Sequence, residues 1–109
     1  YAEALRLYEQ ALAMQRQALP EGHPDIATTL SNMANVYKEQ GAYTNAQELY
    51  EQALAMQRQA LPEGHPDIAA TLGNMAIAHE EQGAYAEALR LYEQALAMQR
   101  QALPEGHPD

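Results

Sequence analysis

The sequence predicts an all-α repeat array of about five helices packed as antiparallel neighbours. Three observations carry this. The 109 residues divide into two copies of 42 and a third cut at 25, each opening on Tyr. Apolar residues recur at helical spacing in every copy, and no strand alternation competes. Gly and Pro clusters fall between the helical stretches at the same place each time. Residues 1–42 and 43–84 share 32 of 42 positions, and residues 85–109 repeat 1–25 unchanged. A period of this length marks a solenoid or array rather than one closed globule.

The spacing predicts helices over roughly 2–19, 26–40, 44–61, 68–82 and 86–103. The first, third and fifth share one pattern, here termed second-type; the other two are first-type. In the first-type helix after Asp25, Ile26, Leu30, Met33, Ala34 and Tyr37 form one stripe. Asp25 follows Pro24 and is expected as N-cap, its carboxylate accepting from first-turn amides. Gly41 stops this helix, because glycine takes the left-handed conformation at low cost. In the next, second-type helix the inward set is expected to be Ala46, Leu49, Tyr50, Ala53, Leu54, Met56 and Ala60. Such a helix, with about 18 residues, spans ~27 Å. Pro62 ends it, and Pro62-Glu63-Gly64-His65-Pro66 forms the loop that restarts the cycle. Connections this short make successive helices antiparallel neighbours.

Composition limits the function. Alanine fills 22 positions, while Phe, Trp and Cys are absent, so helices must pack closely through small residues. Without Cys, disulfides and thiolate metal sites are excluded, and a cytoplasmic location is expected. Six Lys+Arg against fifteen Asp+Glu leave a net charge of −9. That balance disfavours nucleic acid, whose phosphates need cations, and anionic membrane likewise. No apolar run approaches the ~20 residues that span a bilayer. The start at Tyr1, inside a repeat and without Met, reads as a piece of a longer protein.

Leu30, Met33-Ala34, Tyr37, Gly41, Tyr43, Ala46, Tyr50 and Ala53 have the spacing of the tetratricopeptide (TPR) repeat. Leu72, Met75-Ala76, His79, Gly83, Tyr85, Ala88, Tyr92 and Ala95 repeat it. The period of 42 exceeds the usual ~34 through a longer second helix and the loop. In this the chain resembles the TPR-like repeats of kinesin light chain and of many bacterial signalling proteins. His79 departs from the usual Tyr, and Met33 and Met75 from the commoner Leu. The resemblance spans the whole chain as a single array, with repeats 1–42, 43–84 and the truncated 85–109. It implies a right-handed superhelical solenoid whose first-type helices line a concave groove.

Carried over residue by residue, the resemblance makes the groove Thr28, Ser31, Asn32, Asn35, Lys38 and Glu39. In the following repeat it is Ala70, Gly73, Asn74, Ile77, Glu80 and Glu81. The two long copies differ at ten positions, and four of them (28, 31, 35 and 38) are groove positions. Asn32 and Asn74 are unchanged, and an amide can pair with peptide backbone of any sequence. Lys38-Glu39 is neutral as a pair whereas Glu80-Glu81 is not, favouring a basic or polar partner.

Other candidates are weaker. His23, His65 and His107 recur 42 residues apart, one per loop. That spacing does not bring ligands to one metal, so they read as loop residues beside Pro and the Asp cap. His79 reads as a substitute for Tyr37, half-buried between helices. One Ser, no Cys and no phosphate-binding loop give catalysis nothing to use, and no cofactor is expected. ALAMQRQAL runs lack the basic face of membrane or calmodulin-type helices and read as repeat core.

Two functions follow. The first is a non-catalytic scaffold holding a peptide or partner protein in the groove. The second is a self-associating structural or consensus-designed array without a ligand of its own. Leu5, Tyr8 and Leu12 at one end and Leu89, Tyr92 and Leu96 at the other lack a first-type neighbour. They are expected to be exposed and to drive homo-oligomers or end-to-end stacking.

Overall fold

The computed structural model describes residues 1–102, which form five helices. They are α1 (Ala2–Ala18), α2 (Pro24–Glu39), α3 (Tyr43–Ala60), α4 (Pro66–Glu81) and α5 (Tyr85–Ala102). No strand occurs among the described residues. α2 pairs closely with α3 and α4 with α5, while α1 against α2 and α3 against α4 join successive pairs. The chain thus advances helix by helix as an all-α solenoid, measuring 44 × 34 × 19 Å.

Small residues let the helices approach. Ala34, Ala46, Ala53, Ala69, Ala76 and Ala88 are all buried where neighbouring helices meet. Tyr50 is the largest fully buried side chain, packed in one cluster with Ile68 and Leu72, while Ile26 and Leu30 are fully buried in a second. One cluster joins α2, α3, α4 and α5, and a smaller one holds Ile26, Ala27, Leu30 and Ala53 with Leu12 and Leu19 beside them. Of the inward set expected for α3, Ala46, Tyr50, Ala53 and Leu54 are buried, and Leu49 and Met56 half-buried. Ala60 is instead exposed, because it is the last residue of α3 and the chain turns away at extended Leu61. Gln57 takes its place in the interior.

The helix ends explain the register. Gly41 has φ +81°, and Ala42 N–H donates to the Tyr37 carbonyl at 2.9 Å. Gly41 N–H donates to Lys38 at 2.9 Å, completing a Schellman motif. The same bonds recur from Ala84 to His79 and from Gly83 to Glu80.

At the other end the Asp25 expectation is corrected. His23 caps α2, its Nδ1 accepting from the Asp25 backbone N–H at 3.0 Å. His65 caps α4 in the same way, accepting from Asp67 at 3.0 Å. Pro24 and Pro66 occupy the first helical turn, where a missing N–H costs nothing, so the cap falls on the residue before proline. Both helices therefore begin two residues earlier than expected. Asp25 and Asp67 lie inside the first turn, where carboxylates complement the helix dipole. His107 lies outside the described residues, as does the expected end of the fifth helix at 103.

Candidate binding groove and its flanking crevices

α2 and α4 lie side by side across the α3–α4 junction and leave an open recess of about 340 Å³. Thr28, Ser31, Asn32 and Asn35 line it from α2, and Ala70 and Asn74 from α4. These are six of the twelve residues expected in the groove. Gln57, Asp67 and Thr71 also line it and were not expected there. Lys38, Glu39, Gly73, Ile77, Glu80 and Glu81 do not border this recess. Glu39, Glu80 and Glu81 are exposed; Lys38, Gly73 and Ile77 are half-buried.

Two polar tethers shape the floor. Thr71 Oγ1 donates to Gln57 Oε1 at 2.7 Å, with both side chains buried. Thr29 donates to Gln15 Oε1 at the same 2.7 Å one repeat earlier. A buried amide is costly unless paired, so this bond allows Gln57 into the junction. The Gln and Thr recur with the 42-residue period, and that recurrence was the signal available in the sequence.

The second tether runs from Tyr50, whose hydroxyl donates to Asn35 Oδ1. Burial pushes this phenol up to about 12, with the Glu81 and Glu39 carboxylates acting in the same direction. Ile77 replaces Asn35 in the next repeat, and there Tyr92 donates to Glu80 Oε1 at 3.1 Å. Burial and the Glu80 and Glu81 carboxylates raise Tyr92 also. Asn35 is thus held by the core, whereas no side-chain hydrogen bond among the described residues engages Asn32 or Asn74.

A larger cavity of about 520 Å³ lies off the groove, lined by Arg58, Glu63, Ile68, Gln94, Ala97, Met98 and Gln101. Its repeat counterpart, about 250 Å³, is lined by Arg16, Glu21, Gly22, Ile26 and Met56. Both are crevices between consecutive second-type helices, closed by the loop into the first-type helix between them and by its Ile68 or Ile26. Their rims mix one Arg and one Glu with apolar walls, Gln94 and Gln101 add amides to the larger one, and the matching Asn32 and Asn74 lie on the groove side.

The expected end residues divide. Leu89, Tyr92 and Leu96 are exposed on α5. Leu5, Tyr8 and Leu12 are half-buried, because α1 turns this face onto α2. The exposed large apolar residues at that end are Tyr1, Leu7 and Met14. Among the described residues, no group of His, Cys, Asp and Glu is placed to hold a metal ion, and no helix is long and apolar enough to cross a membrane.

The family model described as tetratricopeptide repeat matches residues 1–59 and 25–101. The solved structure of the nearly identical TPR-like repeats of a candidate kinesin light chain from Podosopora anserina is similar at 34% identity and TM-score 0.81. It covers 98% of this chain and 51% of that one. A Q17M form of that protein is similar at 34% identity and TM-score 0.80, covering 98% and 50%. This chain therefore spans about half the length of those solved chains. No curated protein matches it. Period, helix pairing, cap and stop residues and the matched model agree: the chain belongs to the tetratricopeptide repeat family.

Proposed function

We propose that this chain is a non-catalytic, cytoplasmic scaffold, a single repeat array that holds an extended peptide of a partner protein in the groove between α2 and α4. TPR repeats generally mediate protein–protein interaction and are generally not catalytic. One observation carries the groove assignment. Asn32 and Asn74 occupy matching positions of successive repeats, border one recess, and engage no side-chain hydrogen bond within the described chain. Each amide offers two donors and an acceptor to the backbone of a ligand. Glu39, Glu80 and Glu81 add negative charge beside it, so a basic or polar peptide is favoured over an acidic one. Nucleic acid and anionic membrane are disfavoured by the same net charge of −9.

The test is selection from a displayed library of random linear peptides at low and high salt. Asn32→Ala with Asn74→Ala should weaken the selected peptides by roughly tenfold, about 1.4 kcal/mol, with an unchanged circular dichroism melt. Unchanged affinity would sink the groove assignment, and enrichment of acidic peptides would sink the charge preference.

The second reading, self-association, is favoured by the apolar stripe Leu89, Tyr92 and Leu96 left uncovered on α5. A strictly monomeric mass by light scattering over a wide concentration range would contradict it.

A further inference from the structure

The helices α1 and α5 are one sequence in two settings, since residues 1–18 recur unchanged as 85–102. α1 packs on α2, whereas α5 packs on α4. Their coverage divides accordingly. On α1, Leu5, Tyr8, Leu12 and Gln15 are half-buried against α2, while Leu7 and Met14 are 52% and 70% exposed. On α5 the equivalents of those two differ from this, Leu91 being buried and Met98 half-buried. Instead Leu89, Tyr92 and Leu96, the equivalents of Leu5, Tyr8 and Leu12, are 59%, 37% and 43% exposed. The end helices therefore leave bare opposite halves of one face. α3, with a first-type helix on either side, covers both halves, burying Tyr50, Ala53, Leu54 and Gln57.

From this we infer that two copies of the 109-residue polypeptide join by helix exchange: α5 of one copy docks on α2 of a second copy, in the seat of α1, and displaces it. This rests on the self-association reading and gives it a geometry. α2 meets identical side chains before and after exchange, so its own packing energy is unchanged. Gln99 takes over the hydrogen bond that Gln15 receives from Thr29. What remains favours exchange. α5 arrives already ordered by α4, whereas α1 must be ordered by its packing on α2 alone, so exchange costs less conformational entropy. Docking buries Leu89, Tyr92 and Leu96 while release of α1 uncovers the identical Leu5, Tyr8 and Leu12, so the apolar balance is even and the entropy difference decides. Direct apposition of the two ends would press one second-type helix on another, and no such pair packs together among the described helices. The joint is head-to-tail and does not close on itself, so each copy extends the array by 84 residues. Further repeats of the same chain would fill both seats, so the test uses the 109-residue polypeptide itself.

Exchange gives the two ends opposite responses. Light scattering across a concentration series should show mass rising with concentration for the parent chain. L89E with L96E, both exposed and outside the fold's core, should weaken association by at least roughly tenfold. L5E with L12E should strengthen it by about as much, because loosening α1 empties the seat that α5 enters. Weaker or unchanged association of L5E with L12E would overturn exchange and leave apposition of the ends. A monomeric parent would overturn exchange and the self-association reading together. A second measurement does not depend on the α1 variant folding. The chain has no cysteine, so one copy carrying Gln99→Cys can be mixed with another carrying Thr29→Cys and treated with a short bismaleimide. A mixed dimer should form, as the Gln15→Cys with Thr29→Cys chain should link to itself. Oligomers without that cross-link would overturn the exchange.

Discussion

α2 and α4 occupy the same place in successive repeats and differ at six of their sixteen positions. None of the six is among the buried residues of α2. Ile26, Ala27, Thr29, Leu30, Met33 and Ala34 all recur as Ile68, Ala69, Thr71, Leu72, Met75 and Ala76, buried again. The variation falls on Thr28, Ser31, Asn35, Val36, Tyr37 and Lys38, which become Ala70, Gly73, Ile77, Ala78, His79 and Glu80. The six residues that α2 buries are copied, because any change there must fit helices on both sides. Three of the differing positions, Thr28, Ser31 and Asn35, line the recess; the other three cluster near the end of the helix, where Tyr37 packs on the core and Ala78 enters it. The divergence has an internal echo: with Asn35 present Tyr50 turns to it, and with Ile77 in its place Tyr92 turns to Glu80.

The comparison breaks most readily at those tyrosines. Tyr50→Ala should cost about 3–5 kcal/mol in denaturant unfolding, the cost of emptying a large buried aromatic site. Tyr92→Ala, on the exposed face of α5, should cost no more than about half of that. Equal losses would mean that the two repeats do not differ in packing as described. Next is Gln47, whose carboxamide nitrogen and oxygen are both buried without a partner, although Leu5 and Leu89 stand at the matching positions. Gln47→Leu should raise stability by about 1–3 kcal/mol by removing an unpaired polar group. A lower melting midpoint would show that the amide is satisfied after all. The smallest effect concerns what the repeats share. His23→Ala and His65→Ala should each cost about 1 kcal/mol as lost caps, and by similar amounts. A loss confined to one of them would deny that the two caps are equivalent.

Much of this architecture was readable from the residues. Gly41 and Gly83 marked helix ends because few other residues enter the left-handed region cheaply, and the 3.6-residue stripe named most of the core. The caps were misassigned because aspartate is the commoner capping residue and stood directly after the proline. Only the position of Pro24 inside the helix moves the role to His23. The expected inward set omits Gln57, since a sequence does not show that Thr71, fourteen residues on, lies within 2.7 Å. The end faces were half legible. Leu89, Tyr92 and Leu96 followed from the absent neighbour, but α1 uses the same three positions to hold α2, and identical residues cannot reveal which side of a helix is taken. Six of the twelve expected groove residues border the recess, because it spans the middle of α2 and the N-terminal half of α4 rather than their whole length.

The alanines where the helices meet have a mechanical consequence for the groove. Distance between packed helices follows from the size of the side chains at their contact. With Ala34, Ala46 and Ala76 fully buried there, the helices already stand near their closest approach. The aperture between α2 and α4 is therefore governed from beneath its floor, by residues that no bound peptide would touch. Enlarging one of those methyl groups would prop the walls apart, and the repeat that carried it would change its gauge while keeping every amide on its surface.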